Sequence, residues 1–238
     1  MDARQRKPSR RPTCTYSGTG GQIRRTSKKG GKTDMSEATV TGALLCGGPH
    51  SKLSGIPKAL LKLGDETLID RQIRVMREIC SEIIVVTDKP KLLIDHLDPS
   101  VRLITDYFMD CGPVGGIHAA LHLARHPLVW IAGSDMPFLS AELARRLVGS
   151  RTEKSEAVIP LLRHEPIPLH GVYGKNGAEK VAKMLAAGET SKEKFLGRFH
   201  WLGIETDSWS KEPEIGEFDF VIRGEADVGR AGVLNYSY

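Results

Sequence analysis

Short apolar runs rich in β-branched residues alternate with segments of helical periodicity from Val40 onward. Each run has the length of a buried strand, and the segments between the runs repeat apolar residues every three or four positions. This alternation is typical of βα units around a parallel sheet. The predicted strands are Val40–Leu45, Glu82–Thr87, Val101–Thr105, Leu128–Ala132, Ala157–Leu161 and Pro168–Tyr173.

Three of the intervening segments are predicted as helices. Leu68–Cys80 and Gly115–His126 each have one apolar face that should pack against the sheet. A third helix is predicted over Ala141–Val148, with Ser140 well placed as its N-cap. No internal repeat or linker divides residues 35–238, so we predict one domain there. The apolar faces consist of Ile69, Ile73, Met76 and Cys80 in the first helix and Ile117, Ala120, Leu121 and Ala124 in the second.

A glycine-rich loop with two lysines follows the first predicted strand. It begins with Leu45-Cys46-Gly47-Gly48 and continues through Lys52 to Lys58. Paired glycines let backbone N–H groups turn towards an anion, and lysines offset phosphate charge from flexible stems. Because ligands of open α/β sheets bind at the carboxyl ends of the strands, the loop is a candidate triphosphate cradle. An ordinary strand-to-helix loop with solvated lysines is the alternative.

Two aspartates fall at the same predicted sheet edge. Asp106 ends a strand, and a loop over residues 110–116 that contains glycine and proline leads from it into a helix, whose N-terminus favours an anion or a ribose hydroxyl. Asp135 follows another strand in a Ser-Asp-Met-Pro turn. Either aspartate could instead be a turn or helix-capping residue. A single carboxylate beside a phosphate cradle suits Mg²⁺, which is typically held by one or two carboxylates together with substrate phosphates.

The net charge of +5 is concentrated at the N-terminus. Residues 1–34 contain ten Lys or Arg and two acidic residues, which leaves a net charge of −3 for residues 35–238. The basic segment is rich in Ser, Thr and Gly and has few large apolar residues, so we predict that it is disordered. It is either a basic arm or targeting peptide, or sequence upstream of a true start at Met35. We favour the start at Met35, because the segment lacks an amphipathic apolar face.

Composition and residue spacing argue against several classes of protein. No apolar stretch reaches the length of about 18 residues that a membrane span needs, and the N-terminus has no apolar core of a secretory signal. The four cysteines form no Cys-x-x-Cys pair, which predicts a reducing compartment and no zinc site. His118, His122 and His126 share one helix side without a completing acid or cysteine, so we predict a solvated stripe. We therefore expect a cytoplasmic protein, with neither membrane nor nucleic acid as a partner.

Three motifs together resemble a known family. The first strand runs into Leu45-Cys46-Gly47-Gly48, where the family has L-A-G-G, and Lys58–Leu61 matches its lysine followed by A-L-L. Gly112–Ile117 matches the family's G-P-L-A-G-I, and Ser134–Leu139 matches its C-D-M-P-F-L. From about residue 39 to about residue 188, the chain resembles the molybdenum cofactor guanylyltransferases, within the glycosyltransferase-A-like nucleotidyltransferase superfamily.

The resemblance implies a fold, a reaction and partners. The fold would be a three-layer, Rossmann-like α/β nucleotidyltransferase fold with a mostly parallel central sheet. The reaction would transfer GMP from GTP to the terminal phosphate of the molybdopterin cofactor, release pyrophosphate and require Mg²⁺. Molybdoenzymes or cofactor-insertion proteins would be further partners. No side-chain nucleophile is needed, because the attacking phosphate is already ionised.

Carried over by position, the resemblance also assigns site residues. Lys58, Lys52 and Asp135 would be catalytic, and Asp135 would also hold Mg²⁺. The loop facing the substrate would contain Gly112, Pro113 and Gly115. Nucleotide contacts would fall on Leu45, Cys46, Gly47, Gly48, Lys58, Asp106 and Asp135.

Departures from the family pattern keep alternatives open. Pro57 stands where the family usually has an acidic residue, and a Pro-Lys pair is reminiscent of cytidylyltransferases. Residues 221–227 lack both asparagines of the family's N-x-N-T-P-E-D segment, which bears on the acceptor. One alternative is a related nucleotidyltransferase with another base or acceptor, such as a molybdopterin cytidylyltransferase, a phospholactate guanylyltransferase or a sugar-phosphate nucleotidyltransferase. The other is a catalytically weak paralogue that binds a nucleotide.

Overall fold

A nine-stranded sheet forms the centre of the computed structural model, which describes residues 22–24, 40–106, 108, 111–209 and 211–235. Two short hairpins, β3–β4 and β5–β6, lie apart from this sheet. The strands are β1 (Gln22–Arg24), β2 (Val40–Leu45), β3 (Lys52–Leu53), β4 (Ile56–Pro57), β5 (Lys62–Leu63), β6 (Glu66–Thr67), β7 (Glu82–Thr87), β8 (Arg102–Thr105), β9 (Leu128–Gly133), β10 (Ala157–Leu162), β11 (Glu165–Pro166), β12 (Val172–Gly174) and β13 (Trp201–Glu205).

The sheet is mostly parallel. Its order is β1-β13-β10-β12-β9-β2-β7-β8, with β11 paired to β10. Only β11 and β12 run antiparallel to their neighbours within the described sheet. The last residue of β2, Leu45, pairs with Val86 of β7 on one side and with Gly133 of β9 on the other. The carboxyl ends of these strands therefore meet at one edge, as the sequence predicts.

Helices cover both faces of the sheet. The helices of the described chain are α1 (Leu68–Met76), α2 (Gly112–Leu123), α3 (Ala141–Gly149), α4 (Ala178–Ala186), α5 (Lys192–Leu196) and α6 (Glu225–Asn235). Single 3₁₀ turns span Lys58–Leu60, Pro90–Leu92, Ile94–His96 and Lys175–Gly177. Ser140 caps α3, because its side-chain oxygen accepts a hydrogen bond from the N–H of Leu143 at 3.0 Å, which confirms the predicted cap.

Successive residues of the central strands point to two separate cores. In β2, Leu44 faces a core shared with α1 and α3, whereas Ala43 faces a core shared with α2, α4 and α5. Strand residues alternate in direction, so a strand covered on both faces is apolar throughout. A third, smaller cluster packs α6 and the segment before it against Leu63 and Leu68. The predicted three-layer α/β fold with a mostly parallel sheet is thus confirmed.

Several predicted boundaries need correction. The strand predicted over Pro168–Tyr173 is observed at Val172–Gly174. Pro168 to Gly171 form a turn instead, in which the N–H of Gly171 donates to the carbonyl oxygen of Pro168 at 3.1 Å. The helix predicted over Gly115–His126 spans Gly112–Leu123 instead. Strand β13 has no counterpart among the predicted elements.

The predicted histidine stripe is wrong for two of its three members. His126 lies beyond the end of α2. His118 is only 8% exposed, and its ring stacks on His122 and meets the edge of Phe108. Burial, with the neighbouring His122, lowers the pKa of His118, so this ring is buried and uncharged near neutral pH.

Within the basic N-terminal segment, the structure describes residues 22–24. Gln22–Arg24 form β1 and pair in parallel with β13 at one edge of the sheet. Residues 1–21 and 25–39 lie outside the described residues, so the predicted domain boundary at residue 35 stays a prediction. In the described chain, no helix is long and apolar enough to cross a membrane.

Candidate active site

A cavity of about 910 Å³ opens at the carboxyl edge of the sheet. The glycine loop after β2 and the start of α2 form one wall, and the hairpin β10–β11 forms the opposite wall. The turn after β9 forms the floor, and the segment before α6 closes one side. Of the predicted site residues, the cavity is lined by Leu45, Gly47, Gly48, Lys58, Gly112, Pro113 and Asp135.

The glycine loop depends on its two glycines. Gly48 has a φ of +92°, a conformation that residues with a Cβ rarely adopt. A Cβ on Gly47 would lie 3.1 Å from both the backbone nitrogen and the carboxylate of Asp88. Ser51 closes the turn by donating its hydroxyl hydrogen bond to the carbonyl oxygen of Gly48 at 2.7 Å. The loop therefore exposes backbone without side chains to the cavity, as an anion cradle requires.

Lys58 and Asp135 are held together at the cavity floor. Lys58 is the first residue of the 3₁₀ turn Lys58–Leu60, and it is only 4% exposed. Its Nζ lies 3.8 Å from Oδ2 of Asp135 and donates a hydrogen bond to the carbonyl oxygen of Ile222 at 2.7 Å. The N–H of Ile222 in turn donates to the carbonyl oxygen of Asp135 at 2.8 Å. The segment before α6 thus fixes the lysine and the aspartate in one arrangement.

A buried glutamine holds the turn that carries Asp135. Gln72 lies in α1, fully buried, and its Nε2 donates to the carbonyl oxygens of Gly133 and Met136, both at 2.8 Å. These two carbonyls flank Asp135 in the chain. Gly133 has no room for a side chain, because a Cβ there would lie 2.7 Å from Oδ1 of Asp135. The side chain of Asp135 keeps 31% exposure towards the cavity.

Asp106 and Gly115 lie together behind the cavity wall. Oδ1 of Asp106 accepts a hydrogen bond from the N–H of Phe108 at 2.9 Å, as an aspartate in a turn does. A Cβ on Gly115 would collide with the Asp106 carboxylate and lie 2.8 Å from the carbonyl oxygen of Phe108. Neither residue lines the cavity, whereas Gly112 and Pro113 at the start of α2 do. Asp110 of the same loop lies outside the described residues.

Cys46 and Lys52 also lie away from the cavity lining. Burial raises the pKa of the Cys46 thiol to about 12; a hydrogen bond with Ser134 opposes this effect, and the charge of Asp135 adds to it. Cys46 is thus a neutral core residue whose backbone continues the strand. Lys52 lies exposed in the small hairpin β3–β4. Of the predicted charged residues, the cavity therefore brings together only Lys58 and Asp135, beside the predicted residues of the glycine loop and of the start of α2.

Sequence reasoning missed the second half of the cavity. The hairpin β10–β11 contributes Arg163 and Glu165, and the segment before α6 contributes Asp219 and Arg223. Phe218, Phe220 and Ile222 are buried at alternate positions of that segment. In the sequence, this alternation of apolar residues was the signal that the segment packs against the rest of the protein. The formal charges of the lining Lys, Arg, Asp and Glu residues cancel, with three of each sign: Lys58, Arg163 and Arg223 against Asp135, Glu165 and Asp219.

The residues present fit Mg²⁺ in the way a nucleotide enzyme uses it. Within the described chain, no cluster of three or more His, Cys, Asp or Glu could hold a metal ion alone. Mg²⁺ keeps several waters and commonly takes one or two protein carboxylates plus phosphate oxygens. Asp135 supplies one such carboxylate at the cavity floor. Because the charges of the lining residues cancel, a polyanion in this cavity would also need a cation to balance it.

Comparison with known proteins connects this cavity to one family. Residues 42–201 match the family model described as the MobA-like NTP transferase domain. The molybdenum cofactor guanylyltransferase of Desulfosudis oleivorans is 31% identical over 149 residues, which cover 63% of this chain and 72% of that protein. The probable molybdenum cofactor guanylyltransferase of Bacillus cytotoxicus is 30% identical over 177 residues, which cover 73% of this chain and 88% of that protein.

A solved structure supports the same fold. The molybdopterin-guanine dinucleotide biosynthesis protein A of Archaeoglobus fulgidus superposes with a TM-score of 0.70 at 22% sequence identity. The superposition covers 83% of this chain and all of that one. The glycine loop, Lys58, the start of α2 and Asp135 all fall within the residues that match the family model.

Proposed function

The chain belongs to the MobA-like NTP transferase family, and from this premise we propose that it transfers GMP from GTP to the terminal phosphate of molybdopterin. Family membership makes the chain a nucleotidyltransferase. The guanine base and the molybdopterin acceptor are proposed because relatives at about 30% identity are named molybdenum cofactor guanylyltransferases. The observation that carries the proposal is the buried Lys58 beside Asp135 at the floor of a cavity lined by the glycine loop.

The proposed reaction needs positioning and charge compensation rather than a protein nucleophile. An oxygen of the molybdopterin phosphate forms a bond to the α-phosphorus of GTP. The bond from that phosphorus to the bridging α–β oxygen breaks, and its electron pair leaves with pyrophosphate. Both reactants are anionic, so the protein must bring them together against their repulsion.

Lys58 supplies part of that compensation. An ammonium group has three donors. The Ile222 carbonyl uses one donor of Lys58, and Asp135 lies further away, so Nζ can also donate to a phosphate oxygen in the cavity. Because Lys58 is buried, its charge is screened less by water than the charge of an exposed lysine. The glycine loop would hold the other phosphate oxygens through backbone N–H groups.

Asp135 would hold the divalent cation. A cation held by this carboxylate would supply positive charge against the charge that develops on the leaving pyrophosphate. Gln72 and Ile222 hold the backbone around Asp135, so its carboxylate stays at the cavity floor. Lys52 is not part of this arrangement, because it lies exposed in the hairpin β3–β4.

The test is pyrophosphate release from GTP and, separately, from CTP, with Mg²⁺ and molybdopterin. We expect release from GTP, and we expect D135N to lower kcat/KM by about 100- to 1000-fold, because the charged group that would hold the divalent cation is neutralised. The matched control is D95N, which makes the same change at an exposed aspartate outside the cavity. It should keep wild-type rates.

Other outcomes would redirect the proposal. Release from CTP alone would reverse the base assignment but keep the reaction class. A folded wild-type protein that binds GTP but releases no pyrophosphate with molybdopterin would exclude this acceptor. Equal losses in D135N and D95N would show that Asp135 has no special role.

A further inference from the structure

Two consecutive residues at the tip of the β10–β11 hairpin have left-handed backbone conformations. Leu162 pairs with Glu165, so the loop consists of Arg163 and His164 alone. Their φ angles are +52° and +68°. Two-residue hairpin loops often need positive φ at both positions, and glycine, asparagine or aspartate usually occupy them because other side chains are disfavoured there. Here the tip carries a guanidinium and an imidazole instead.

Both tip residues are fastened to the end of β13 and the residues after it. The N–H of Arg163 donates to Oδ1 of Asp207 at 2.9 Å, and Nδ1 of His164 lies 2.7 Å from Oε1 of Glu205. These contacts hold the backbone of Arg163 while leaving its side chain at the cavity wall. Within the part of the chain that the structure describes, its guanidinium makes no hydrogen bond or ion pair.

Strained residues persist where the surrounding structure holds them, and they concentrate at ligand sites. The hairpin tip meets that description, because it is strained, anchored twice and in contact with the cavity. Its anchors fix where the Arg163 side chain begins, so little further ordering is needed when an anion binds there.

The sheet order places this tip and the glycine loop on opposite sides of Asp135. Strands β2, β9 and β10 end at the same edge, and the reversed strand β12 separates β9 from β10. Along the edge, the glycine loop comes first, then Asp135, then Arg163. In an in-line transfer, the attacking oxygen and the leaving group lie on opposite sides of the phosphorus. A cation for the incoming phosphate therefore belongs on the side of Asp135 away from the glycine loop.

We propose that Arg163 binds the terminal phosphate of the acceptor and directs it towards the α-phosphorus of the nucleotide. This inference rests on the proposed function. A guanidinium can hold a phosphate through two parallel hydrogen bonds, which fixes the direction of the phosphate as well as its position. Ile167 and Leu169 line the same cavity and offer an apolar surface to the organic part of the acceptor.

The test separates acceptor binding from nucleotide binding by steady-state kinetics. R163N removes the charge with a residue that tolerates a positive φ, so the turn should be kept. We expect the KM for molybdopterin to rise about 10- to 100-fold, as for loss of a charge-assisted hydrogen bond, while the KM for GTP stays within about twofold. R163K keeps the charge but not the fork of donors, so its KM for molybdopterin should rise less.

The matched control is R198N, which removes an exposed arginine outside the cavity lining. It should leave both KM values unchanged. An unchanged KM for molybdopterin in R163N would overturn the inference. An equal rise in the KM for GTP would do the same, because Arg163 would then act on the nucleotide.

A second measurement decides the inference if the wild type shows no turnover with molybdopterin. Inorganic phosphate is titrated into protein saturated with GTP, and the arginine Nε–H resonance that is missing from R163N is followed by NMR. A saturable shift of this resonance supports a phosphate site at Arg163 even though the proposed acceptor is wrong. No shift, with GTP bound, overturns the inference.

Discussion

Gln72 is buried like a core residue, but its hydrogen bonds go to the turn that carries Asp135. It is buried in α1, yet both of its amide hydrogens go to the carbonyls that flank Asp135. Its Oε1 has no partner among the described residues. An unpaired buried amide oxygen calls for an explanation, and the two hydrogen bonds that Nε2 donates to the turn provide one. We infer that Gln72 is a positioning residue for Asp135.

Replacement of Gln72 should therefore affect metal use as well as stability. Q72M keeps the side-chain volume but removes the donor of the Met136 carbonyl, which costs about 1–3 kcal/mol. The Gly133 carbonyl loses one of its two donors and keeps the N–H of Met136 at 3.2 Å. We expect a lower free energy of unfolding and, in addition, a severalfold higher Mg²⁺ concentration at half-maximal pyrophosphate release. Urea denaturation and a Mg²⁺ titration measure the two effects.

The control for Q72M is a destabilising change in the same helix that does not touch the turn. I73V removes one methylene from a buried residue of α1 and should cost about 0.5–1.5 kcal/mol. It should leave the Mg²⁺ dependence unchanged. If Q72M also leaves it unchanged, Gln72 is a core residue only.

At the residue scale, the sequence predicted those residues of the candidate cavity whose type suits phosphate chemistry. Glycines 47 and 48, Lys58 and Asp135 were found because their spacing after apolar runs places them at one sheet edge. Ile222 was not found, because it acts through its backbone carbonyl and lies 164 residues away from Lys58. Arg163 was missed for a related reason: its role depends on a turn conformation that its residue type disfavours.

At the scale of the elements, α2 packs closely against Asp106 and Phe108 of the loop before it. Gly115 lies in its first turns, against the Asp106 carboxylate and the carbonyl of Phe108. The backbone of Gly115 is helical, so the position does not need the conformational freedom of glycine. It needs the absence of a side chain, because Asp106 and Phe108 lie too close. The helix can then begin at Gly112 and present its N-terminus to the cavity.

Substitution of Gly115 by alanine should destabilise the protein. Although alanine favours a helix by about 1 kcal/mol over glycine, the new methyl group must displace Asp106 and a backbone oxygen. We expect a net loss of about 1–3 kcal/mol in the free energy of unfolding, measured by urea denaturation.

The same substitution in α6 provides a control of opposite sign. Gly229 is also helical, and a Cβ there would meet nothing within 4 Å. G229A should raise the free energy of unfolding by about 0.4–1 kcal/mol. Equal effects of the two substitutions on the free energy of unfolding would mean that Asp106 moves aside for the new methyl group without loss of stability.

The elements differ in how far the sequence determines them. Strands β2 and β7 were predicted to the residue, because each is a short, mostly apolar run that is buried on both faces. The start of α2 was placed three residues late, since its first turn contains Gly and Pro rather than an apolar repeat. Strand β13 was missed because its short apolar run, Trp201 to Ile204, has no periodicity that separates strand from helix.

Across the whole molecule, His170 joins parts that are far apart in the chain. It is fully buried between Trp130 of β9, the N-cap of α3 and Phe218 of the segment before α6. Burial lowers the pKa of His170 to about 4. A neutral ring is therefore required for these parts to pack together.

This requirement predicts a loss of stability in acid. The unfolded chain binds a proton at His170 near pH 6.5, whereas the folded protein resists it until about pH 4. The stability that comes from a neutral His170 is thus complete above about pH 6.5 and declines as the pH falls towards 4. Between pH 7.5 and pH 5, the free energy of unfolding should fall by about 2 kcal/mol through this group alone.

Urea denaturation at the two pH values measures the effect. H170N has no titrating ring and places another non-glycine residue at the φ of +138°, so the backbone strain should stay similar while the stability falls less between pH 7.5 and pH 5. The exposed His96 supplies the control, and H96N should retain the full decline. An identical decline in H170N and wild type would assign the acid sensitivity to other groups.

The pairing of β1 with β13 has a consequence for synthesis of the chain. Gln22 pairs with Leu202, so the edge strand β1 must meet a strand that lies 180 residues later in the chain. At about 5–20 residues per second, the ribosome completes β13 roughly 10 to 40 s after residue 24. The strands from β2 to β9 can associate during that time, and β1 can dock only at the end. On the ribosome, the earliest strand of the described sheet to be made would thus be the last to join it.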